Sequence, residues 1–365
     1  MLFFLLVLLS LLVGISVFIR QPKFGSLPAG ERLQRILNSP HYQQGSFQNL
    51  SITPNFTEGS GYGKVLRSVM FGKSKRARPS DVMPSVKTNL KNLAPDENVL
   101  VWFGHSSYFI QADGKRMLVD PVLSGAASPL RFMVPAFKGS DAYAVEDFPD
   151  IDYLFLTHDH WDHLDHDTIV KLKSRVGKVI CSLGVGAHLE RWGYAPADII
   201  EKEWNETAVL EPGFTVHVVP ARHFSGRSLV RNRALWSAFV LQTPSLRLFL
   251  GGDSGYDTHF KDIGSMYGPF DLALLECGQY NENWKYIHMM PEETVQAAED
   301  LKARRLMPVH WAKFDLSTHA WDDSIQRVSA AARVAGMPLV YPMIGEKVEL
   351  SKEGQVFGEW WTRVN

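Results

Sequence analysis

Apolar and polar positions divide the chain into three textures. Residues 2 to 19 are almost entirely apolar and carry no charge, which reaches the roughly 18-residue length at which a helix can span a bilayer. From residue 20 to residue 97 breakers dominate, among them Pro22, Gly25, Pro28, Gly30, Pro54, Gly59, Gly61, Gly63, Pro79, Pro84 and Pro95. Only short helical stretches such as Glu31 to Leu37 fit between them, so this part reads as a wrapping leader. From Asn98 onward short β-rich runs alternate with helical periodicity.

The β-rich runs predict strands at Val99 to Trp102, Tyr108 to Gln111, Met117 to Val119, Tyr153 to Leu156, Lys178 to Cys181, Thr215 to Val219, Ser237 to Leu241, Leu246 to Leu250, Leu272 to Leu275 and Leu306 to Val309. Ala112, Asp113 and Gly114 form the turn between the second and third. Helices are predicted near Asp167 to Lys173, Val185 to Trp192, Pro291 to Ala303 and Asp322 to Ala335, the third opening on a proline followed by two glutamates. No repeat of about 20 to 50 residues is visible, which excludes a solenoid or propeller. The pattern is that of an α/β layered domain over residues 98 to 365, with strand-end loops free to carry chemistry.

Composition refines this picture in three places. A content of 45% hydrophobic and 21% charged residues is that of a foldable globular chain. The formal net charge of −1 is uneven, because residues 20 to 97 hold 12 Lys/Arg against 5 Asp/Glu. A basic leader therefore precedes a mildly acidic body, and its cluster Lys73, Lys75, Arg76 and Arg78 is suited to anionic lipid headgroups, with a solvated loop as the alternative. Cys181 and Cys277 stand in no CxxC pattern; they read as two buried thiols in strands, with one long-range disulfide as the alternative.

The apolar run is followed by no small-x-small cleavage site before Arg20, so it reads as a retained anchor, the alternative being a cleaved signal peptide. Arg20, Lys23, Arg32 and Arg35 outnumber the charges before the span, which by the positive-inside rule leaves the body in the cytoplasm.

The buried-strand pattern Tyr153 to Leu156 stops abruptly at Thr157-His158-Asp159-His160-Trp161-Asp162-His163. A tight loop there lets His158 and His160 point at one cation while Asp162 and His163 point at a second. Nitrogen and oxygen donors without thiolate suit Zn²⁺ first, with Fe or Mn as alternatives. His223, Asp253 and His310 each follow a further apolar strand, and Gly251 and Gly252 allow close backbone approach beside Asp253. A single histidine of this kind is often only solvated; the cluster points to a two-metal hydrolytic site.

The order HxHxDH, His, Asp, His resembles that of the metallo-β-lactamase superfamily. The likeness extends through Val101 to Ser107, Leu118 to Leu123, Ser128-Pro129, Gly251 to Tyr256, Gly268 to Ala273 and His288 to Glu293, and is closest to the branch of phospholipases D that hydrolyse N-acylphosphatidylethanolamine. It covers about residue 98 to about residue 350. The resemblance implies a four-layer αβ/βα sandwich with two zinc ions at one edge of the strand layers. Carried over by position, it assigns His158, His160 and His223 to the first metal, Asp162, His163 and His310 to the second, and Asp253 to the bridge.

The chemistry so implied is that of a phosphodiesterase of phospholipase D type, acting on an (N-acyl)glycerophospholipid to give phosphatidate and the headgroup. Two divalent ions activate water and stabilise the oxyanions of an in-line displacement. Asp162, His288 and His105 are the candidates for direct catalytic roles, and Asp120 and His105 for orienting ligands. Trp161, Tyr256, Tyr280, Trp284 and Trp311 are candidates for an apolar acyl groove. The sequence departs from the animal phospholipases in the loop Arg222 to Arg227, in Ile287 before His288, and in its N-terminal span. Expected partners are a phospholipid and the membrane, a homodimer being compatible with the resemblance. The acidic body excludes a nucleic-acid backbone as substrate. The alternatives are a metal-dependent lactonase or other small-molecule phosphodiesterase, and a non-catalytic metal-binding membrane protein.

Overall fold

The computed structural model describes residues 1–365. The apolar N-terminal run forms helix α1 (Leu2–Ile19), which has no buried residue. With a mean hydropathy of 3.0 it is long and apolar enough to cross a membrane.

The leader then winds over the body through α2 (Gly30–Leu37), a short ribbon of β1 (Tyr42–Gln43) and β2 (Ser46–Phe47), and α3 (Tyr62–Phe71). It is held by specific bonds. Arg32 forks between Glu190 (2.7 Å) and Glu201 (2.6 Å), while Ile36, Phe47 and Met83 insert into the main core. Helix α3 is a second short stretch between breakers; it starts only after the extended Gly61 and ends at Gly72. Three of the four basic cluster residues engage the body, while Lys75 is exposed. Lys73 pairs with Asp315 (2.7 Å) and Arg76 with Asp322 (2.5 Å), and Arg78 bonds the Pro135 carbonyl (3.2 Å).

The body runs β3 (Val99–Trp102), β4 (Tyr108–Ala112), β5 (Lys115–Val119), β6 (Ile151–Leu156), α4 (His166–Leu172), β7 (Val176–Ser182), α5 (Gly186–Arg191), β8 (Ile199–Lys202), β9 (Thr207–Glu211), β10 (Phe214–Pro220), β11 (Ser237–Gln242), β12 (Arg247–Leu250), α6 (His259–Tyr267), β13 (Leu272–Glu276), α7 (Pro291–Asp300), β14 (Leu306–Val309), α8 (Asp323–Ala335) and β15 (Lys347–Glu349). Two mixed sheets result, ordered β15-β3-β4-β5-β6-β7-β8 and β14-β13-β12-β11-β10-β9.

Strand alternation explains the layering. In the first sheet Leu100, Trp102, Ile110, Met117, Val119 and Phe155 point into the core shared with the second sheet. Their neighbours Val99, Val101, Phe109, Leu118, Leu154 and Leu156 point the other way, onto Ile169 and Leu172 of α4 and Leu189 of α5. Strands covered on both faces read as continuous apolar runs, which is why these were legible. On the far side, Phe260, Val295, Ile325 and Val328 bring α6, α7 and α8 against the second sheet. The order is helix, sheet, sheet, helix, as the resemblance implies. Cys181 and Cys277 are both buried and free.

Candidate metal centre

Each chemically active loop leaves the same edge of the two sheets. His105 and Ser106 occupy the turn from β3 to β4, Asp120 follows β5, the segment 157–163 follows β6, and His223, Asp253 and His310 follow β10, β12 and β14. His105, Asp120 and His310 sit at positive φ (54°, 39° and 70°), a region uncommon for residues other than glycine and one where strain gathers at functional sites. Close packing fixes the loops. A Cβ on Gly278 would lie 1.7 Å from the His310 carbonyl oxygen, and one on Gly252 2.9 Å from the Thr157 side chain.

The structure brings all seven predicted donors together. His158, His160, His223 and Asp253 form one group and Asp162, His163 and His310 another, which His105 joins. His158 Nε2 and His223 Nε2 lie 2.9 and 3.2 Å from His160 Nδ1. Four zinc–nitrogen bonds of ~2.0–2.1 Å in a tetrahedron would put such atoms roughly 3.3 Å apart. Asp253 Oδ2 reaches both groups, at 3.6 Å from His223 Nε2 and 3.2 Å from His163 Nε2.

The surrounding hydrogen bonds decide which ring nitrogens are free. His163 Nδ1 donates to Asp120 Oδ2 (2.8 Å), and His223 Nδ1 donates to the Ile287 carbonyl (2.8 Å). The Thr157 hydroxyl donates to Asp120 Oδ2 (2.6 Å) and so accepts from His158 Nδ1 (3.0 Å). The three rings therefore turn lone pairs at Nε2 toward one another and toward carboxylates. His163 Nε2, His310 Nε2 and Asp253 Oδ1 are buried without a hydrogen-bond partner. Facing lone pairs and buried acceptors are costly unless a cation lies among them, so the donor set fits divalent metal. Burial alone would raise the Asp162 and Asp253 carboxyls, but positive charge within the cluster, carried above all on His163 when no cation lies there, holds both well below the usual range.

Several supports were foreseen and several were not. Asp120 does orient a donor ring, and His105 donates from Nε2 to Asp162 Oδ2 (3.0 Å). Asn49 of the leader was missed: its amide donates to the His223 carbonyl (2.8 Å) and accepts from the His223 N–H (3.0 Å). Ser106 lies 2.9 Å from His310 Nδ1. Glu276, also missed, is fully buried and pairs with His288 Nδ1 (3.1 Å). Burial pushes its carboxyl up to about 7 against the pull of His288. Burial would lower His288 in turn, but Glu276, Asp253 and Asp162 raise it.

A cavity of about 280 Å³ opens over the donors. Among the five aromatics expected in a groove, only Trp284 lines it, joined by Phe56 and Tyr62 of the leader and by Phe224. Trp311 instead enters a cluster with Trp102, Trp321 and Trp360. Tyr280 bonds Asp323, Tyr256 bonds Asp300 (2.6 Å), and Trp161 lies under the Arg227 guanidinium (4.0 Å). Arg231, stacked over Phe224 (4.9 Å), supplies a cation to the cavity rim.

Comparison with known proteins agrees with this geometry. The model of the beta-lactamase superfamily domain matches residues 115–311, from β5 to the residue after the last donor. An uncharacterized protein of Mycobacterium tuberculosis is 37% identical over 327 residues, covering 88% of this chain and 87% of its own. A Caenorhabditis elegans protein named N-acyl-phosphatidylethanolamine-hydrolyzing phospholipase D 1 is 28% identical over 297 residues, covering 74% of this chain and 82% of its own. The solved structure of Igni18, a metallo hydrolase from Ignicoccus hospitalis, shares the fold, with a TM-score of 0.54 at 21% identity over 69% of this chain and 97% of that one. With the donors gathered at one sheet edge and the family model spanning all but the turn that carries His105, the chain belongs to the metallo-β-lactamase superfamily and is a metal-dependent hydrolase.

Proposed function

We propose that this chain hydrolyses the phosphodiester of a membrane glycerophospholipid, releasing the headgroup alcohol or amide and leaving phosphatidate. The observation that carries the reading is the cavity: a floor of metal donors, walls of Phe56, Tyr62, Phe224 and Trp284, and Arg231 at the rim. A phosphate on the floor, an apolar substituent on the walls and a guanidinium for a second oxygen fit that composition. The likeness to the nematode phospholipase D supports it, as does α1, read as a retained anchor.

His158, His160, His223 and Asp253 would hold one divalent ion, and Asp162, His163 and His310 the other, with Asp253 between them. When bound, such ions supply activated water and stabilise charge developing on phosphate oxygens. Asp120 keeps the Nδ1 proton on His163, and the Ile287 carbonyl does the same for His223, so each ring presents Nε2. His105 fixes Asp162 in orientation. His288 keeps its Nδ1 proton toward Glu276 and lines the cavity, where Nε2 is placed to donate a proton to the departing oxygen.

A smaller phosphodiester or a lactone would fit entirely within about 280 Å³ and is the second reading. Mass spectrometry of products separates the two after metal-loaded protein is incubated with N-acylphosphatidylethanolamine, ordinary phospholipids and a lactone panel. Phosphatidate with intact N-acylethanolamine is the expected result, and Asp162→Asn and His163→Ala should abolish it with loss of bound metal. Turnover of lactones alone, or normal turnover in both variants, would overturn the proposal.

A further inference from the structure

Helix α3 is amphipathic with its apolar stripe facing the wrong way for a soluble domain. Tyr62, Leu66, Val69 and Met70 share one face, at i, i+4, i+7 and i+8. That face is uncovered: Tyr62 is 76% exposed, Leu66 59% and Met70 61%. The helix carries Lys64 and Arg67 and no acid, Glu58 being the one carboxylate of the preceding strap. Its first residue, Tyr62, lines the metal cavity and meets Phe56 edge-on (4.8 Å), so the uncovered stripe begins at the cavity mouth.

The same mouth lies beside the base of α1. Val230 and Ile19, the last residue of α1, line one small cavity, and the next residue, Arg231, lines the metal cavity. Arg227 in that loop donates to the Lys23 carbonyl (3.0 Å) on one side and to the Asp159 carbonyl, inside the donor loop, on the other (2.9 Å). A second loop reaches the base of α1 where Lys23 Nζ donates to the Pro129 carbonyl (2.7 Å). Both loops carry uncovered apolar side chains, Leu229 at 82% and Phe132 at 78% exposed. Cavity size points the same way, since about 280 Å³ holds a headgroup and a phosphodiester but not two acyl chains.

We infer that the mouth of the metal cavity faces the bilayer, with the α3 stripe and the tips Leu229 and Phe132 set into the headgroup layer of an anionic membrane around the foot of α1. A lipid would then present its phosphodiester to the donors while its chains remain in the membrane. The inference deepens the phospholipase reading and rests on it for that last step, but the burial of this face can be measured without turnover.

Cys181 and Cys277 are buried, so the full-length chain carrying Met70→Cys, Leu229→Cys or Val334→Cys takes an environment-sensitive fluorophore at the new position alone. In nanodiscs of phosphatidylcholine and phosphatidylglycerol, spin-labelled lipids should quench the probes at positions 70 and 229 several-fold and leave the probe on α8 at position 334 unchanged. Equal, weak quenching at all three would overturn the inference, as would disulfide cross-linking through position 70 between two copies without lipid quenching, which would assign the face to self-association. In parallel, Leu66→Glu with Met70→Glu should lower hydrolysis of bilayer phospholipid about 10-fold or more while soluble bis(p-nitrophenyl) phosphate is turned over within about 2-fold of the parent. Equal loss on both substrates would mean a folding role for α3. If no phospholipid is hydrolysed by any form, the phospholipase reading fails while the quenching still decides the orientation.

Discussion

The two donor groups are built from similar side chains but supported differently. His158, His160 and His223 converge to 2.9–3.2 Å and are backed by neutral groups: the Thr157 hydroxyl, the Ile287 carbonyl and the Asn49 amide. In the second group the free ring nitrogens of His163 and His310 stand 3.7 and 4.0 Å from Asp162 Oδ2, and the support is the buried carboxylate of Asp120 together with His105. A neutral hydrogen bond contributes about 1 kcal/mol, whereas an ion buried without its partner costs about 3–5 kcal/mol. The second group should therefore be the more sensitive to loss of a support, and the first the more open to influence from the leader.

Asp120→Ala is the harshest way to probe that difference. It strips the acceptor from His163 and releases the Thr157 hydroxyl that accepts from His158, so metal affinity and kcat/KM should each fall about 100-fold, the upper end for a residue behind a ligand. Metal analysis of the dialysed variant checks it. Retention of the parent's metal content would show that the buried charge is dispensable.

Acid should reveal the neutral scaffold of the first group. The Arg222 N–H donates to Ser254 Oγ (2.9 Å), which lies 3.2 Å from His259 Nε2. Burial pushes His259 down to about 4. Its folded value is below the unfolded one of about 6.5, so the unfolded chain takes up the proton first and stability is lost as pH falls from about 6.5 toward 4. Between pH 7 and pH 5 this amounts to about 2 kcal/mol, seen as a lower denaturant midpoint that His259→Gln should largely remove. An unchanged pH slope in the variant would dissociate His259 from this support.

The mildest perturbation is Asn49→Ala, which removes the leader's bonds to the His223 backbone and to Trp236 Nε1 (3.0 Å). A roughly 10-fold loss of kcat/KM with the fold intact is expected, at the lower end for such a support. A loss as large as that of Asp120→Ala would erase the distinction between the two groups.

The donors were legible because each is a polar residue that abruptly ends an apolar strand, and the predicted strands carrying them all form. Their supports were not, for local reasons. Glu276 closes the run Leu272 to Leu275 and reads like a solvent-facing end, since only α7 packing over it shows that it is buried. Asn49 is one polar residue in a polar stretch, and its partner lies 174 positions away. β8, β9 and β15 are three to five residues long and hold only two, three and one apolar residues, too few to set a period, and the glycines before α3 hide its periodicity. Conversely, an aromatic residue announces bulk but not direction, which is why the groove was assigned largely to the wrong rings.

Trp311 follows the donor His310 directly, and its ring packs against those of Trp102 (5.5 Å) and Trp360 (5.2 Å). Trp102 in turn donates from Nε1 to the carbonyl of His105 (2.7 Å). Indoles this close couple their electronic transitions, so the chain contains its own optical gauge at the metal edge. Titration of metal into the apo-protein should alter the near-ultraviolet dichroism of this cluster, giving a readout of occupancy that needs neither substrate nor label.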